Sequence, residues 1–165
     1  MDHKTLKKEV LALLQRNARF SDQEIADRLQ QTPTDIHTLI REMETDRTIL
    51  GYSALIDEEK AGNDKVRAII EVEVQPERDA GFNRIAHMIS QYPEVQTVYL
   101  VSGRYDLRVE VVGDSLQEVA FFVASKLATL EGIKATATHF LLKKYKETGF
   151  SSHQEEKHER LKVVP

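Results

Sequence analysis

The chain of 165 residues contains no cysteine and only seven glycines and four prolines. Without cysteine, disulfides, zinc–thiolate sites, iron–sulfur clusters and thiol nucleophiles are excluded. No apolar run approaches the roughly 18 residues of a membrane span, and the first residues lack the apolar segment of a signal peptide. We therefore expect a soluble, cytoplasmic protein with no membrane partner.

The sequence also lacks a surplus of positive charge. Lysine and arginine number 23 against 27 aspartates and glutamates, which gives a net charge of −4 and a pI near 5.9. This balance argues against a protein that coats nucleic acid or membrane by bulk charge. A reader of specific DNA is not excluded, because a small basic patch can lie on an acidic body.

Motifs of catalysis are absent as well. The sequence has no His-x-x-x-His pair, no glycine-rich phosphate loop and no Gly-x-Ser-x-Gly elbow. Its six histidines lie far apart along the chain, except for His153 and His158, which fall in the predicted C-terminal tail. We therefore expect no enzymatic activity, no metal site and no cofactor.

Three short helices are predicted before residue 50. Ser21 and Glu24 have capping-box spacing at the start of the second helix, and Thr32 followed by Pro33 suits the start of the third. A strand-like segment, 49–56, follows. This order is that of a winged helix-turn-helix, and a small helical bundle is the alternative. The apolar stripes of the three helices are Leu6, Val10, Leu13 and Leu14; Ile25, Ala26 and Leu29; and Ile36, Leu39, Ile40 and Met43.

The rest of the chain alternates between strand and helix patterns. Strands are predicted over 66–74, 95–101, 107–112 and 133–145. One helix carries Phe82, Ile85, Ala86 and Ile89, and the other, opened by Asp114, carries Leu116, Val119, Ala120, Val123, Leu127 and Leu130.

The order is that of a ferredoxin-like βαββαβ domain, in which both helices cover one face of an antiparallel sheet. The strands carry apolar residues on both sides, so we expect a second copy to cover the other face and form a homodimer. The fold class is therefore α+β. The predicted domains are 1–60 (winged helix-turn-helix), 65–147 (ferredoxin-like) and 148–165 (polar C-terminal tail), and 58–64 joins the first two.

The arrangement resembles the Lrp/AsnC family of leucine-responsive, feast/famine transcription regulators over roughly residues 4–147. The local marks are Ile49-Leu50-Gly51-Tyr52, Ser102-Gly103-Arg104-Tyr105-Asp106 and Thr136-Ala137-Thr138. The resemblance implies a sequence-specific DNA-binding regulator that assembles into dimers and often octamers. It also implies that an amino acid or similar metabolite binds between the second domains and shifts assembly or DNA affinity.

A helical wheel defines the surface of the third helix that would read DNA. Its outward stripe carries hydroxyls, an imidazole and one guanidinium, which suit base edges and phosphates. The stripe has no carboxylate, whereas Asp35, Glu42 and Asp46 lie on one flank and Glu44 on the other. The alternative is an ordinary polar helix face. Including the N-cap, the predicted DNA-binding residues are Thr32, Thr34, His37, Thr38, Arg41 and Thr45.

Residues 1–57 hold eight basic and ten acidic side chains. With few phosphate contacts, one such domain should bind DNA weakly and with a shallow salt dependence. Useful affinity would then depend on several copies held together in an oligomer.

The turn at 102–106 is the candidate effector site. Amides around Gly103 could hold a carboxylate, and Asp106 could receive an α-ammonium group. The alternative is an ordinary turn, since glycine and aspartate are common turn formers. The family places its ligand beside this turn, and Thr136 and Thr138 resemble positions near the family's pocket. The predicted effector-binding residues are Ser102, Gly103, Arg104, Tyr105, Asp106, Thr136 and Thr138.

Two other functions fit parts of the pattern. The acidic flank of the third helix is compatible with a metabolite-sensing assembly module whose DNA-binding head is weakened. Sirohaem decarboxylase subunits resemble the same two-domain architecture, with their chemistry moved to the region between the domains.

Overall fold

The computed structural model describes residues 2–75 and 81–151. The chain divides into two compact units between Leu55 and Ile56. Of the tail predicted over 148–165, residues 152–165 lie outside the described residues.

The first unit consists of three helices, α1 (His3–Arg16), α2 (Asp22–Leu29) and α3 (Pro33–Thr45). Their predicted apolar stripes meet in one core, because burial of those stripes is the main stabilising contribution open to such short helices. The fully or nearly fully buried members are Leu6, Val10, Ile25, Ala26, Ile36, Leu39 and Met43. Leu13, Leu14, Leu29 and Ile40 pack around them and keep part of their surface exposed.

The starts of α2 and α3 are capped as their sequences predict. The Glu24 amide donates to Ser21 Oγ over 3.2 Å, and the Ser21 amide donates to Glu24 Oε2 over 2.8 Å. Thr32 Oγ1 accepts from the Asp35 amide over 3.1 Å, with Pro33 at the first helical position. These bonds satisfy amides that have no partner inside a helix, so they fix where α3 begins.

The strand predicted over 49–56 is wrong: residues 50–57 form neither helix nor strand. Leu50 is 82% exposed and Tyr52 is 50% exposed. A strand needs a neighbouring backbone to complete its hydrogen bonds, and this segment pairs with none among the residues that the structure describes. The apolar pattern alone could not show that a partner strand was missing, and most of these apolar side chains are exposed.

The second unit contains a four-stranded antiparallel sheet of order β2-β3-β1-β4. This order confirms the predicted ferredoxin-like fold. Its strands are β1 (Val66–Val74), β2 (Val95–Leu100), β3 (Leu107–Gly113) and β4 (Ile133–Phe140), and its helices are α4 (Glu58–Ala61), α5 (Asn83–Ser90) and α6 (Leu116–Phe122), the last continuing into a π turn over Val123–Leu127. No helix among the described residues is long and apolar enough to cross a membrane.

The core of this unit lies between one face of the sheet and two helices. Ile70 and Val72 of β1 are fully buried, as is Ile85 of α5. Val119 and Leu127 come from α6 and its π turn into the same cluster. The opposite face of the sheet, called the outer face below, carries the alternate residues of each strand.

α6, the second helix predicted for this domain, differs from its prediction in its N-cap and in the residues that it buries. Ser115, rather than Asp114, caps α6 by accepting from the Glu118 amide over 3.1 Å. Of the predicted apolar stripe, Leu116 is 51% exposed and Ala120 is also exposed, while Phe122, which was not predicted, is buried.

The last strand is shorter than predicted. β4 ends at Phe140, which pairs with Ala68 near the start of β1. Since β1 begins at Val66, β4 has almost no neighbouring backbone beyond that point, and the prediction of strand to 145 is wrong. A separate short hairpin of β5 (Lys146–Glu147) and β6 (Phe150–Ser151) follows.

Candidate functional site

The outward side of α3 presents the residues predicted to meet DNA. They lie on the side of the helix opposite the buried Ile36, Leu39 and Met43. All of them are exposed: Thr34, His37, Thr38, Arg41 and Thr45, with Thr32 at the N-terminal end. We call this set the reading face.

Three of the four threonines of the reading face donate their hydroxyl protons to nearby groups of the chain. Thr38 Oγ1 donates to the Thr34 carbonyl over 2.9 Å, and Thr45 Oγ1 donates to the Arg41 carbonyl over 2.8 Å. Thr32 Oγ1 donates to Asp35 Oδ2 over 2.7 Å. With these protons already bonded, an exposed threonine can offer DNA its methyl group or an acceptor oxygen, which suit thymine methyls and the amino groups of adenine and cytosine.

Two carboxylates reach the reading face from its sides. Arg41 Nη1 donates to Glu44 Oε2 over 3.0 Å. His37 Nδ1 lies 2.9 Å from Asp22 Oδ2, a residue of α2. The helical wheel of α3 correctly placed no carboxylate within the stripe, but it did not predict these two contacts from neighbouring carboxylates. The spacing of Arg41 and Glu44 could have revealed the first, whereas only tertiary structure brings Asp22 to His37.

A lysine of α1 offsets part of the negative charge on the acidic flank of α3. Lys7 Nζ lies 2.8 Å from Glu42 and 3.8 Å from Asp46. The hydrogen bond to Lys7 holds the pKa of Glu42 below its ordinary value, and the same bond raises the pKa of Lys7. The flank therefore presents less free negative charge to DNA than its composition suggests.

The candidate effector turn joins β2 to β3 and is anchored to β1. The Asp106 amide donates to the Val72 carbonyl over 3.1 Å. Asp106 Oδ2 in turn accepts from the Val74 amide over 2.8 Å. Gly103 adopts φ of +149°, a region that other residues rarely enter. Ser102, Gly103 and Arg104 are exposed, while Tyr105 and Asp106 are half-buried.

The sheet brings Thr136 to the same end as this turn. Val72 pairs with Leu107, the residue after the turn, and on its other side with Thr136. Two strand spacings, about 10 Å, therefore separate β3 from β4 here. Thr138 lies one pair further along, opposite Ile70. Because directly paired residues point to the same side of a sheet, both threonines lie on the helix-covered face.

A cavity of about 310 Å³ lies elsewhere in the second unit, lined by 56–58, 63–65, 67 and 141–144. It includes none of the predicted effector residues. Its cations are largely paired: Arg67 with Glu58, and Lys65 with Asp114. Among residues 2–75 and 81–151, no group of three or more histidine, aspartate or glutamate side chains is arranged to hold a metal ion.

The chain is similar to known proteins along most of its length. A family model described as winged helix-turn-helix DNA-binding matches residues 4–49, and one described as Lrp/AsnC ligand binding domain matches residues 67–149. The uncharacterized HTH-type transcriptional regulator YugG of Bacillus subtilis is 40% identical over 158 residues, which is 95% of each chain. A regulator of Pyrococcus horikoshii is 31% identical over 80% of this chain and 81% of its own.

Solved structures share the fold at lower identity. Escherichia coli AsnC matches with a TM-score of 0.65 and 22% identity, covering 89% of this chain and 95% of its own. A Neisseria meningitidis transcriptional regulator solved as a complex with L-Met matches with a TM-score of 0.65 and 24% identity, covering 89% of this chain and 93% of its own. The two family models in this order, with the long match to the Bacillus relative, show that the chain belongs to the Lrp/AsnC family of HTH-type transcriptional regulators.

Proposed function

We propose that the chain regulates transcription in the cytoplasm by binding specific double-stranded DNA through the reading face of α3. The observation that carries this proposal is the exposed stripe of hydroxyls, imidazole and guanidinium on the third helix of a domain that matches a DNA-binding family model. Pairing of Lys7 with the acidic flank favours a working DNA-binding head over a weakened one. The relatives are named as transcriptional regulators, so the enzyme alternative has no support from them.

Replacing Arg41 by alanine is expected to weaken DNA binding by roughly 1–3 kcal/mol, because the guanidinium can bond bidentately to a base or phosphate. Fluorescence anisotropy with the DNA upstream of the protein's own gene measures this loss. Arg16→Ala, at the end of α1, removes the same charge from a site outside the reading face. Equal losses in the two variants would mean that Arg41 contributes only net charge.

We further propose that an amino acid binds beside the 102–106 turn and alters assembly or DNA affinity. The L-Met complex of the Neisseria regulator supports an amino acid as the class of effector. Asp106 carries a carboxylate whose Oδ2 is bonded to the Val74 amide, which leaves Oδ1 as the acceptor for an α-ammonium group. The glycine-bearing turn supplies amides for the carboxylate of the same ligand.

Asp106→Asn is expected to abolish the response to amino acids while leaving the fold intact. The asparagine carbonyl can still accept from the Val74 amide, but an NH₂ group replaces the acceptor for ammonium. The wild type, incubated with a mixture of L-amino acids, should gain about 2.7 kcal/mol of stability when one of them reaches a hundredfold excess over its Kd. Scanning calorimetry with and without the mixture measures this gain.

Asp114→Asn is the matched control for this experiment. Asp114 bonds Lys65, which lines the separate cavity. Loss of the response in Asp114→Asn, with Asp106→Asn unaffected, would move the effector to that cavity. No stabilisation of the wild type by the mixture would contradict an amino-acid effector altogether.

We propose that two copies associate through the outer face of the sheet, and that such dimers can build higher assemblies up to an octamer. Ile69 and Val112 lie half-buried on this face, and Tyr99 is 52% exposed. Thr97 Oγ1 and Arg108 Nε, also on this face, are buried without a hydrogen-bond partner in the part of the chain that the structure describes. A second copy would cover the apolar residues of this face and remove them from water.

A further inference from the structure

The carboxylate of Glu44 is shared between the reading face and the segment that follows α3. Glu44 Oε2 accepts from Arg41 Nη1 over 3.0 Å. Its other oxygen, Oε1, accepts from the Tyr52 hydroxyl over 3.1 Å. The Glu44 side chain is 30% exposed, against 70% for Arg41. Glu44 is therefore held beside the guanidinium from two directions.

The Tyr52 hydroxyl acts as the donor in this arrangement. Desolvation and the hydrogen bond to Glu44 both raise the pKa of Tyr52 above its ordinary value. The phenol thus stays protonated at neutral pH and keeps its bond to the carboxylate. Because that bond occupies Oε1, the other oxygen is left directed towards Arg41.

Arg41 is the one arginine or lysine of the reading face, and this contact neutralises it in the free protein. A cation that binds a DNA phosphate gains affinity by releasing counterions from the DNA. The carboxylate of Glu44, 3.0 Å from the guanidinium, would repel the same phosphate. An exposed ion pair is also weak enough for DNA to displace.

We propose that Glu44 sets the DNA affinity of the head, because it competes with DNA for the Arg41 guanidinium while Tyr52 holds it in position. This inference rests on the proposed function of α3 as a DNA-binding helix. It predicts that DNA must displace Glu44 to reach Arg41, which lowers the net gain from the Arg41–DNA contact without abolishing it. Because Glu44 offsets the charge of Arg41, this pair would be one cause of the shallow salt dependence that the sequence predicts.

Glu44→Gln in the full-length chain tests the proposal, because it removes the negative charge, while the glutamine oxygen can still accept from Arg41 and its NH₂ group can donate to the Tyr52 hydroxyl. The probe is a fluorescent mixed-sequence duplex of about 30 base pairs, three helical turns, titrated at several salt concentrations. We expect binding roughly threefold to tenfold tighter at low salt, and a plot of log K against log salt steeper by about 0.9.

Two further variants isolate the contact. Glu42→Gln removes the same charge from the same helix, but its partner is Lys7 of α1, so the salt slope should stay near that of the wild type. In an Arg41→Ala background, Glu44→Gln should no longer tighten binding, because the guanidinium that it releases is gone.

Three other outcomes would contradict either this proposal or the DNA-binding function on which it rests. If Glu44→Gln steepens the slope equally in the Arg41→Ala background, the effect is general charge and the proposal fails. The proposal also fails if wild-type protein binds the duplex and Glu44→Gln leaves affinity unchanged or weaker. If wild-type protein binds neither this duplex nor its upstream DNA at low salt, the proposed function itself is rejected, and this inference with it.

Discussion

Ile36→Ala should lower the free energy of unfolding of the first unit by about 2–5 kcal/mol, because removing a buried isoleucine loses its transfer free energy and leaves a cavity. Ile36 is fully buried in α3 and belongs to the same cluster as Val10, Ile25 and Met43. A unit of this size buries a smaller fraction of its surface than a larger domain does and has little stability to spare. The substitution should therefore unfold most of the first unit at 37 °C and abolish DNA binding.

Hydrogen exchange read separately over the two units measures this effect. Amides of α1, α2 and α3 should lose protection, whereas those of β1 and β3 should keep it, since the second unit has its own core. Leu50→Ala is the matched control, as it removes a similar aliphatic side chain that is 82% exposed. Unchanged protection of α3 in Ile36→Ala would show that the first unit does not depend on this contact.

The sequence predicted the elements whose boundaries depend on local chemistry. The capping of α2 by Ser21 and of α3 by Thr32 involves residues only three positions apart, so spacing alone reveals it. The buried residues of β1 follow from its alternation for the same reason. By contrast, the end of β4 depends on where β1 begins, which is a property of a distant part of the chain.

The strand predicted over 49–56 failed for a related reason. A strand is defined by a partner, and side-chain pattern does not tell whether a partner exists. Leu50 and Tyr52, two of the apolar residues that suggested a strand, are exposed in the structure. Tyr52 has one specific role in the structure, its hydrogen bond to Glu44.

The same distinction applies to the candidate sites: features of a single helix were predictable, and contacts between elements were not. The reading face was predictable, because it needs only the pitch of one helix and its buried side. The contact of His37 with Asp22 and that of Glu42 with Lys7 were not, because they join different helices. At the candidate effector turn, the sequence predicted a ligand-binding role for Asp106, but only the sheet reveals that one of its oxygens already bonds the Val74 amide.

The outer face of the sheet combines apolar and charged side chains, and the charges are arranged in pairs. Arg108 lies 3.0 Å from Glu110, and His139 lies 3.7 Å from Glu71. Ile69 occupies the middle of this face on β1, paired with Glu110 on β3 and His139 on β4. A charged group placed at Ile69 would therefore lie at the centre of the proposed dimer interface.

Ile69→Glu is expected to convert the dimer to a monomer at micromolar concentration. A carboxylate buried without a partner costs about 3–5 kcal/mol, and each copy would bring one. By affinity arithmetic, one such cost weakens association by roughly a hundredfold to several thousandfold. Light scattering after gel filtration measures the mass, and scanning calorimetry checks that the half-buried position leaves the monomer folded.

Leu142→Glu is the control, because Leu142 is 96% exposed and lies beyond the end of β4. A wild-type protein that is monomeric at micromolar concentration would contradict the proposed dimer, and a dimeric Ile69→Glu variant would move the interface elsewhere.

The same substitution should also affect DNA binding, if binding depends on assembly. If single heads bind weakly and depend on the effective concentration of linked copies, Ile69→Glu should reduce affinity for upstream DNA more than Arg41→Ala does, although Ile69 lies outside the DNA-binding unit.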